Sequence, residues 1–319
     1  MTLYDQTDCV AGIDIGGTTT SVALLNLNGQ ILKTGSFPTR PRNGFESVLC
    51  RLSDHLTAWL QTMPGTRLRG IGVATAGLVD AETGILTYAA NLPGWEQSSV
   101  VERVQTRFHV PVCLENDANA AALGEYAYGA GKRSEQVLMV TLGTGVGGGL
   151  ILNGSIYRGV NGLAGELGHN CIDPKGPICP CGRRGCLEAF IGQTALVQRY
   201  HVLYRTAFPE SVSDRFESTR DISAAADSGD RVALRLYQEL GDHLALGLSH
   251  TLNLLDLERI VLGGGVANAA PYFLPTTRRV LYELLLDRRI KPHLAVAELG
   301  EQAGMLGAGY SILQQAAKG

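Results

Sequence analysis

Apolar and polar positions along the chain fall into two kinds of repeat. From Val10 an apolar run, VAGI, meets the glycine-rich DIGGTTT, then TSVALLNL, Asn28-Gly29 and QILKTG. From Val137 the order recurs as VLMVTL, GTGVGGG, GGLIL, Asn153-Gly154 and SIYRG. An Asn-Gly pair between β-type runs predicts a hairpin, because both central residues of that turn need a positive φ. The same strand–turn–strand–turn–strand unit is therefore expected twice, 127 residues apart (137 minus 10), as in a duplicated domain plan. Chance likeness of two β-meanders is the alternative. Elsewhere the period is helical. Phe45, Val48, Leu49, Leu52, Leu56, Trp59, Leu60 and Met63 fall on one helix face. Asn116 and Asp117 stand at the expected N-cap of an Ala-rich helix. Val232 to Leu257 reads as a long helix leading into the strand RIVLGGGV, and GMLGAGYSILQQAA closes the chain as a helix. TMPGTRLRG reads as a loop. The pattern predicts an α/β protein of two domains, each opening with a β-meander, with a cleft between them.

Composition narrows the function classes. The chain has 319 residues, 45% hydrophobic and 18% charged, with a formal charge of -3. That is length for two cores. No basic run offers a nucleic-acid footprint, and no apolar stretch of about 18 residues or more offers a spanning helix. The start, MTLYDQTDCV, lacks the basic and apolar blocks of a signal peptide. A cytoplasmic protein without nucleic-acid or membrane partners is expected. Its thiols would stay reduced, and seven cysteines, an odd number, fit a disulfide framework poorly.

Three glycine clusters each follow an apolar run: DIGGTTT from Asp14, GTGVGGG from Gly143 and GGG at Gly263–Gly265. Glycine lets backbone N–H groups approach an anion that a Cβ would hold off. Asp14 could hold Mg²⁺ through water, and a hydroxyl of Thr18, Thr19 or Thr20 could reach a phosphate oxygen. No Gly-Lys-Ser/Thr follows, so these are not Walker A loops. GTGVGG leads into a strand, so it is not a dinucleotide fingerprint. One such cluster alone is more often a plain turn; three together point to a nucleotide.

From His169 to Cys186, HNCIDPKGPICPCGRRGC holds one His and four Cys. His169, Cys179, Cys181 and Cys186 give H-x9-C-x-C-x4-C, a full tetrahedral set for structural Zn²⁺ with no open position. Reduced thiols in a metal-free loop are the alternative. Cys171 is close, but a fifth ligand is not needed. Cys9, Cys50 and Cys113 read as small core residues. Glu166 and Glu188 frame the cluster. A surface of carboxylates, amides and imidazole suits a polyhydroxyl ligand.

DIGGT, ENDANAAALGE, LGTGVGGGLILNG, GLAGELGH and CPCGRRGCLE together resemble the ROK family of sugar kinases and repressors, within the actin-like ATPase and sugar kinase superfamily. The resemblance implies two actin-like ATPase (ribonuclease H-like) domains around a central cleft. Residues 1–117 with the C-terminal helix 304–319 would form the small domain, and 118–303, with a zinc loop at 169–186, the large one. It implies ATP with catalytic Mg²⁺, a structural Zn²⁺, and phosphorylation of a hexose 6-hydroxyl. Asp117 would be the catalytic base, ionised because a helix N-terminus favours the anion. Gly77, Asn91, Asn116, Asp117, Glu166, His169 and Glu188 would bind the sugar, and His169 would also bind zinc. Asp14, Gly16, Gly17, Thr18, Thr19, Gly143, Thr144, Gly145 and Gly264 would bind the nucleotide. A homodimer or homotetramer is implied.

The repressors carry an N-terminal helix-turn-helix. With the first strand expected near Val10, none is expected here. NLPGW at Asn91–Trp95 together with ENDANAAALGE looks most like the glucokinase branch, and Leu78, where N-acetylmannosamine kinases can carry Arg, leans to an unsubstituted hexose. Glucose is the favoured acceptor. N-acetylglucosamine, N-acetylmannosamine, fructose, allose and mannose are the alternatives. A non-catalytic sugar sensor is argued against by the intact Asp117. FIGQTAL departs from the Ser-Gly that relatives show near Gly192-Gln193, which bears on the far wall of the sugar pocket. His55, His109, His201, His243, His250 and His293 read as surface or satisfied core residues.

Overall fold

A computed structural model describes residues 8–89, 91–210 and 216–318, so most of the N-terminal segment read above for targeting lies outside them. The first half alternates strands and helices: β1 (Asp8–Ile15), β2 (Thr19–Asn26), β3 (Ile31–Pro38), α1 (Phe45–Gln61), β4 (Arg67–Thr75), β5 (Leu78–Asp80), β6 (Ile85–Tyr88), β7 (Ser98–Ser99), α2 (Val100–Phe108), β8 (Val112–Asn116) and α3 (Asp117–Tyr128). The second half runs β9 (Val137–Leu142), β10 (Val146–Leu152), β11 (Ser155–Ile156), α4 (Glu188–Ile191), α5 (Gln193–Ala207), α6 (Thr219–Asp227), α7 (Arg231–Leu255), β12 (Arg259–Gly263), α8 (Ala270–Leu284), β13 (His293–Val296) and α9 (Ala303–Lys318).

The duplicated plan is present. One sheet has the order β3-β2-β1-β4-β8 and the other β11-β10-β9-β12-β13. In each, a three-stranded meander is extended by two strands, and β4, β8, β12 and β13 all pair in parallel. The two Asn-Gly turns differ, however. Asn153 and Gly154 both have positive φ, as expected, whereas at the first turn Gly29 does and Asn28 does not. There the Asn26 side chain accepts from Asn28 N (3.0 Å) and Gln30 N (2.9 Å), which shapes a longer loop. The loop expected over TMPGTRLRG is also shorter than that. Arg67 already pairs with Asp8, so β4 takes up RLRG.

α1 buries Phe45, Val48, Leu49, Leu52, Leu56 and Trp59, while Leu60 and Met63 are only partly covered. Cys50 is exposed on the opposite face, not in a core; Cys9 and Cys113 are buried as expected.

The chain divides into two compact units. One comprises Met1–Arg133, Gly149–Ala164 and Glu298–Gly319; the other Ser134–Gly148 and Gly165–Ala297. The division falls later than the expected 117/118, because α3 packs along α9. A Cβ on Gly124 would lie 2.2 Å from Ala303 O, and one on Gly307 1.7 Å from Ala120 O. The buried Glu125 carboxylate then accepts from Ala130 N (2.8 Å), Glu298 N (3.2 Å) and Leu299 N (2.8 Å), tying the departing segment to the returning one.

α9 also lies on the first sheet at backbone distance. A Cβ on Gly72 would sit 1.8 Å from Ala308 O, and one on Gly12 2.0 Å from Met305 O. Carbonyl oxygens cannot rotate away as a side chain can, so Gly72→Ala must lift the helix. The expected cost is about 1–3 kcal/mol or more, read as a lowered Tm in thermal unfolding. An unchanged Tm would mean that α9 does not sit this close.

Candidate functional site

In the first unit the end of β1 delivers Asp14 to a glycine turn. Gly16 N donates to Thr19 O (3.0 Å) and closes the turn, and Thr39 N donates to Thr18 O (2.8 Å). Thr18 and Thr19 are exposed. Thr20 is buried and shares a hydrogen bond with Thr39 (2.9 Å), so it is not one of the available hydroxyls. Asn91 lies beside the turn, 3.0 Å from where a Cβ on Gly17 would stand. Leu92 and Trp95 anchor its loop in the core, the indole donating to Pro41 O (3.1 Å).

The junction of β8 and α3 carries the acidic centre. Asn116 is the N-cap of α3: its Oδ1 accepts from Ala118 N (2.9 Å) and Asn119 N (3.3 Å), and its Nδ2 donates to Gly77 O (2.8 Å). Gly77 and Asn116 are therefore brought together, with most of the Asn116 amide committed to backbone. Asp117 is the first helical residue, and its Oδ1 accepts from Ala118 N (2.9 Å). Asp14 stands close enough to feel its charge. Burial, and then the Asp117 carboxylate, push Asp14 up to about 7. Asp14 has no hydrogen bond to a protein donor among the described residues. Two neighbouring carboxylates, one without a protein partner, are a donor set that fits a hydrated divalent cation.

Asp14 gives the metal-free protein a pH-dependent stability. A carboxyl raised from 3.8 to about 7 on folding favours the folded state fully below its unfolded value, and that contribution is lost as pH rises through about 7. Stability is expected to fall between pH 4 and 7 by on the order of a few kcal/mol. Asp14→Asn should flatten that slope in thermal unfolding without Mg²⁺. An unchanged slope in the variant would assign it to other groups.

Sequence reasoning missed a buried ion pair next to this centre. Glu115 is 1% exposed. It accepts from Asn116 N (3.2 Å), from Asn119 Nδ2 (3.0 Å) and from Arg158 Nε (2.9 Å). A carboxylate ending an apolar strand signals a buried charge that needs a partner, but nothing local points to Arg158.

In the second unit the Gly143–Gly145 turn is held from three sides. Gly143 N donates to Gly145 O (3.0 Å), Gln193 N to Gly143 O (2.9 Å), and Val146 N to Glu188 Oε2 (2.9 Å). Gly264, at the end of β12, lies against the Leu142 backbone. The departure at Gly192-Gln193 falls on the N-cap of α5, which has no side-chain cap; Gly192 packs over Thr144 O.

The cysteine loop forms the expected cluster. One ligand atom from each of His169, Cys179, Cys181 and Cys186 lies within 4.8 Å of the others. His169 Nδ1 is 3.7 Å from Cys179 Sγ, and Cys181 Sγ is 3.7 Å from Cys186 Sγ. A tetrahedral zinc with Zn–S of about 2.3 Å would space sulfurs by about 3.8 Å, so the set fits the ion. Burial pushes the Cys179 thiol up to about 12, and hydrogen bonds from Arg183 hold Cys181 down at about 6. Zinc binding here must therefore displace protons. The imidazole turns Nδ1 to the thiols and Nε2 towards Glu166 Oε2, 3.9 Å away. Glu188 Oε1 lies 3.6 Å from Cys179 Sγ. Glu166, His169 and Glu188 are thus gathered at one edge of the cluster. Of the other histidines, His55 stacks on Phe37 and His243 packs against Phe190. Among the described residues no helix is long and apolar enough to cross a membrane.

A profile of the ROK family matches residues 10–315. The glucokinase of Thermotoga maritima is 34% identical over 314 residues, 95% of this chain and 97% of that one. The ROK hexokinase of Thermus thermophilus superposes with a TM-score of 0.83 at 33% identity, covering 98% of this chain and 100% of that one. A ROK family glucokinase from Streptomyces griseus, solved with glucose and AMPPNP, gives a TM-score of 0.75 at 33% identity, covering 96% and 99%.

Proposed function

The chain belongs to the ROK family as an ATP-dependent sugar kinase, and from that premise we propose that it phosphorylates the 6-hydroxyl of a hexose, glucose first. The observation that carries the reading is Asp117 at the α3 N-terminus, beside Asp14 and the Gly16–Thr19 turn. Phosphoryl transfer asks mainly for positioning and charge stabilisation. Asp117 orients the hydroxyl and takes its proton as the O–P bond forms. The Gly16–Thr19 and Gly143–Gly145 turns offer backbone N–H groups and hydroxyls to the phosphates, with Gly264 at the nucleotide. Asp14 would hold Mg²⁺ through its water shell, and the ion would supply charge neutralisation for the phosphates.

Gly77, Asn91, Asn116, Glu166, His169 and Glu188 are the residues assigned to the sugar hydroxyls in this reading. His169, with Nδ1 turned to the thiols, would help hold a structural Zn²⁺, which would leave its Nε2 proton as a donor. Glucose is supported by the Thermotoga and Streptomyces relatives and by the aliphatic Leu78. A coupled ADP-release assay across glucose, N-acetylglucosamine, N-acetylmannosamine, mannose, fructose and allose tests the reading. The highest kcat/KM is expected with glucose. Higher kcat/KM with an N-acetylhexosamine would replace glucose by that class, and no sugar-dependent ADP release would end the kinase reading.

A further inference from the structure

Cys171 is the thiol of the cysteine loop that the four-ligand cluster leaves out. The backbone nevertheless sets it opposite one of the ligands. Cys171 and Cys186 face each other in an isolated antiparallel bridge. The hydrogen bonds of that bridge run outside the pair, from Ile172 N to Gly185 O (2.8 Å) and from Leu187 N to Asn170 O (2.9 Å). This is the pattern of a non-hydrogen-bonded pair, the narrower kind, with Cα atoms about 4.5 Å apart and both side chains on one face. A disulfide asks for a Cα separation of about 4.4–6.8 Å, so the pair can close without moving the backbone far. A Cβ on Gly185 would lie 3.3 Å from Cys171 Sγ, which puts that sulfur against the segment carrying Cys186. The two thiols differ in access. Cys186 is 1% exposed, whereas Cys171 is open to solvent. An oxidant meets Cys171 first, and Cys186 stands where a resolving thiol is needed.

We propose that Cys171 and Cys186 are a reversible modification site, which a hydroperoxide closes to a disulfide, taking Cys186 out of the zinc set. With hydrogen peroxide, the Cys171 sulfur attacks one oxygen, the O–O bond breaks, and a sulfenic acid and water form. The Cys186 sulfur then attacks the sulfenic sulfur. The S–S bond forms, the S–O bond breaks, and hydroxide leaves and takes a proton to become the second water. Two thiols and one hydrogen peroxide thus give one disulfide and two waters. A transient bridge of this kind fits a chain whose thiols are otherwise reduced. His169, Cys179 and Cys181 then remain, three ligands where a structural zinc needs four, and the ion is released. The release rests on the zinc reading, but the cross-link does not. Cys181 Sγ, 3.7 Å from Cys186 Sγ, is the competing partner that a test must separate.

The full-length protein, purified reduced, is treated with hydrogen peroxide. Peptide mapping by mass spectrometry locates the cross-link, thiol titration counts the thiols, and a chromogenic chelator reads released zinc. A Cys171–Cys186 cross-link is expected, with the loss of two thiols and release of zinc on the same time course. Dithiothreitol with added zinc should restore both. Cys171→Ser removes a thiol assigned to neither sugar, nucleotide nor metal, so its zinc content and sugar turnover should match the wild type before oxidation. It should keep its zinc at a peroxide dose that empties the wild type. The proposal is overturned if Cys171 stays a free thiol while zinc is lost, or if Cys181 is cross-linked to Cys186 in its place. It is equally overturned if Cys171→Ser loses zinc as fast as the wild type. Reduced wild-type protein without zinc would instead count against the metal reading, and the peptide map would still decide the pair.

Discussion

Asp117→Asn is expected to lower kcat by at least about 10²-fold, the low end for removing a general base, with sugar affinity nearly intact. The amide has the shape of the carboxylate and still accepts from Ala118 N, the bond that Asp117 Oδ1 makes at 2.9 Å. The helix start is therefore kept and the sugar contacts with it. What is lost is the capacity to take the hydroxyl proton. The substitution also removes the charge that helps to raise Asp14, so the fall in stability between pH 4 and 7 should become shallower in the variant. Turnover from ADP release and affinity from calorimetry separate the two effects. Near-normal kcat would remove Asp117 from the proton transfer.

Cys181→Ser is expected to strip zinc from the purified protein and to reduce activity by about tenfold or more, the scale on which shells supporting a metal centre act. Structural zinc sites contribute about 10–16 kcal/mol of apparent binding energy in small peptides. The loop has little else of that size. It is held by two isolated β-bridges, Cys171 to Cys186 and Ile178 to Arg184, and by short turns. With one thiolate gone, the buried Cys179 and Cys186 would lose the ion proposed to keep them together. His169 is then free to rotate, and Glu188 loses a neighbour. Metal content by elemental analysis and nicking of the loop by protease are the readouts. Wild-type protein without zinc but fully active would defeat the assignment.

Most of the strand framework was legible because apolar runs and Gly-rich turns are local signals. The two meanders, the apolar face of α1, and α7 and α9 follow from spacing alone. So does the cysteine cluster, whose four ligands lie within eighteen residues of chain. What escaped depends on contacts far apart in sequence. Arg158 meets Glu115 across 43 positions. The placement of α3 with the first unit depends on Gly124 and Gly307 meeting the opposing backbone. The first Asn-Gly turn misled because the Asn26 side chain redirects its backbone. Cys50 misled because small size alone does not decide which face of a helix a residue occupies.

The packing of α9 on the first sheet reaches into how the protein is made. Val10, Ala23, Leu25 and Cys113 share one core with Met305, Leu306 and Ile312. A ribosome adds residues from the N-terminus, at about 5–20 per second. The strands that carry the first four are thus complete many seconds before their covering helix exists. The sheet face bearing Gly12 and Gly72 stays uncovered until the final helix clears the exit tunnel, while Ser134–Ala297 is already available to fold. The last part of the chain to be synthesised completes the first domain begun, and a nascent chain stalled before residue 303 presents an open apolar sheet to chaperones.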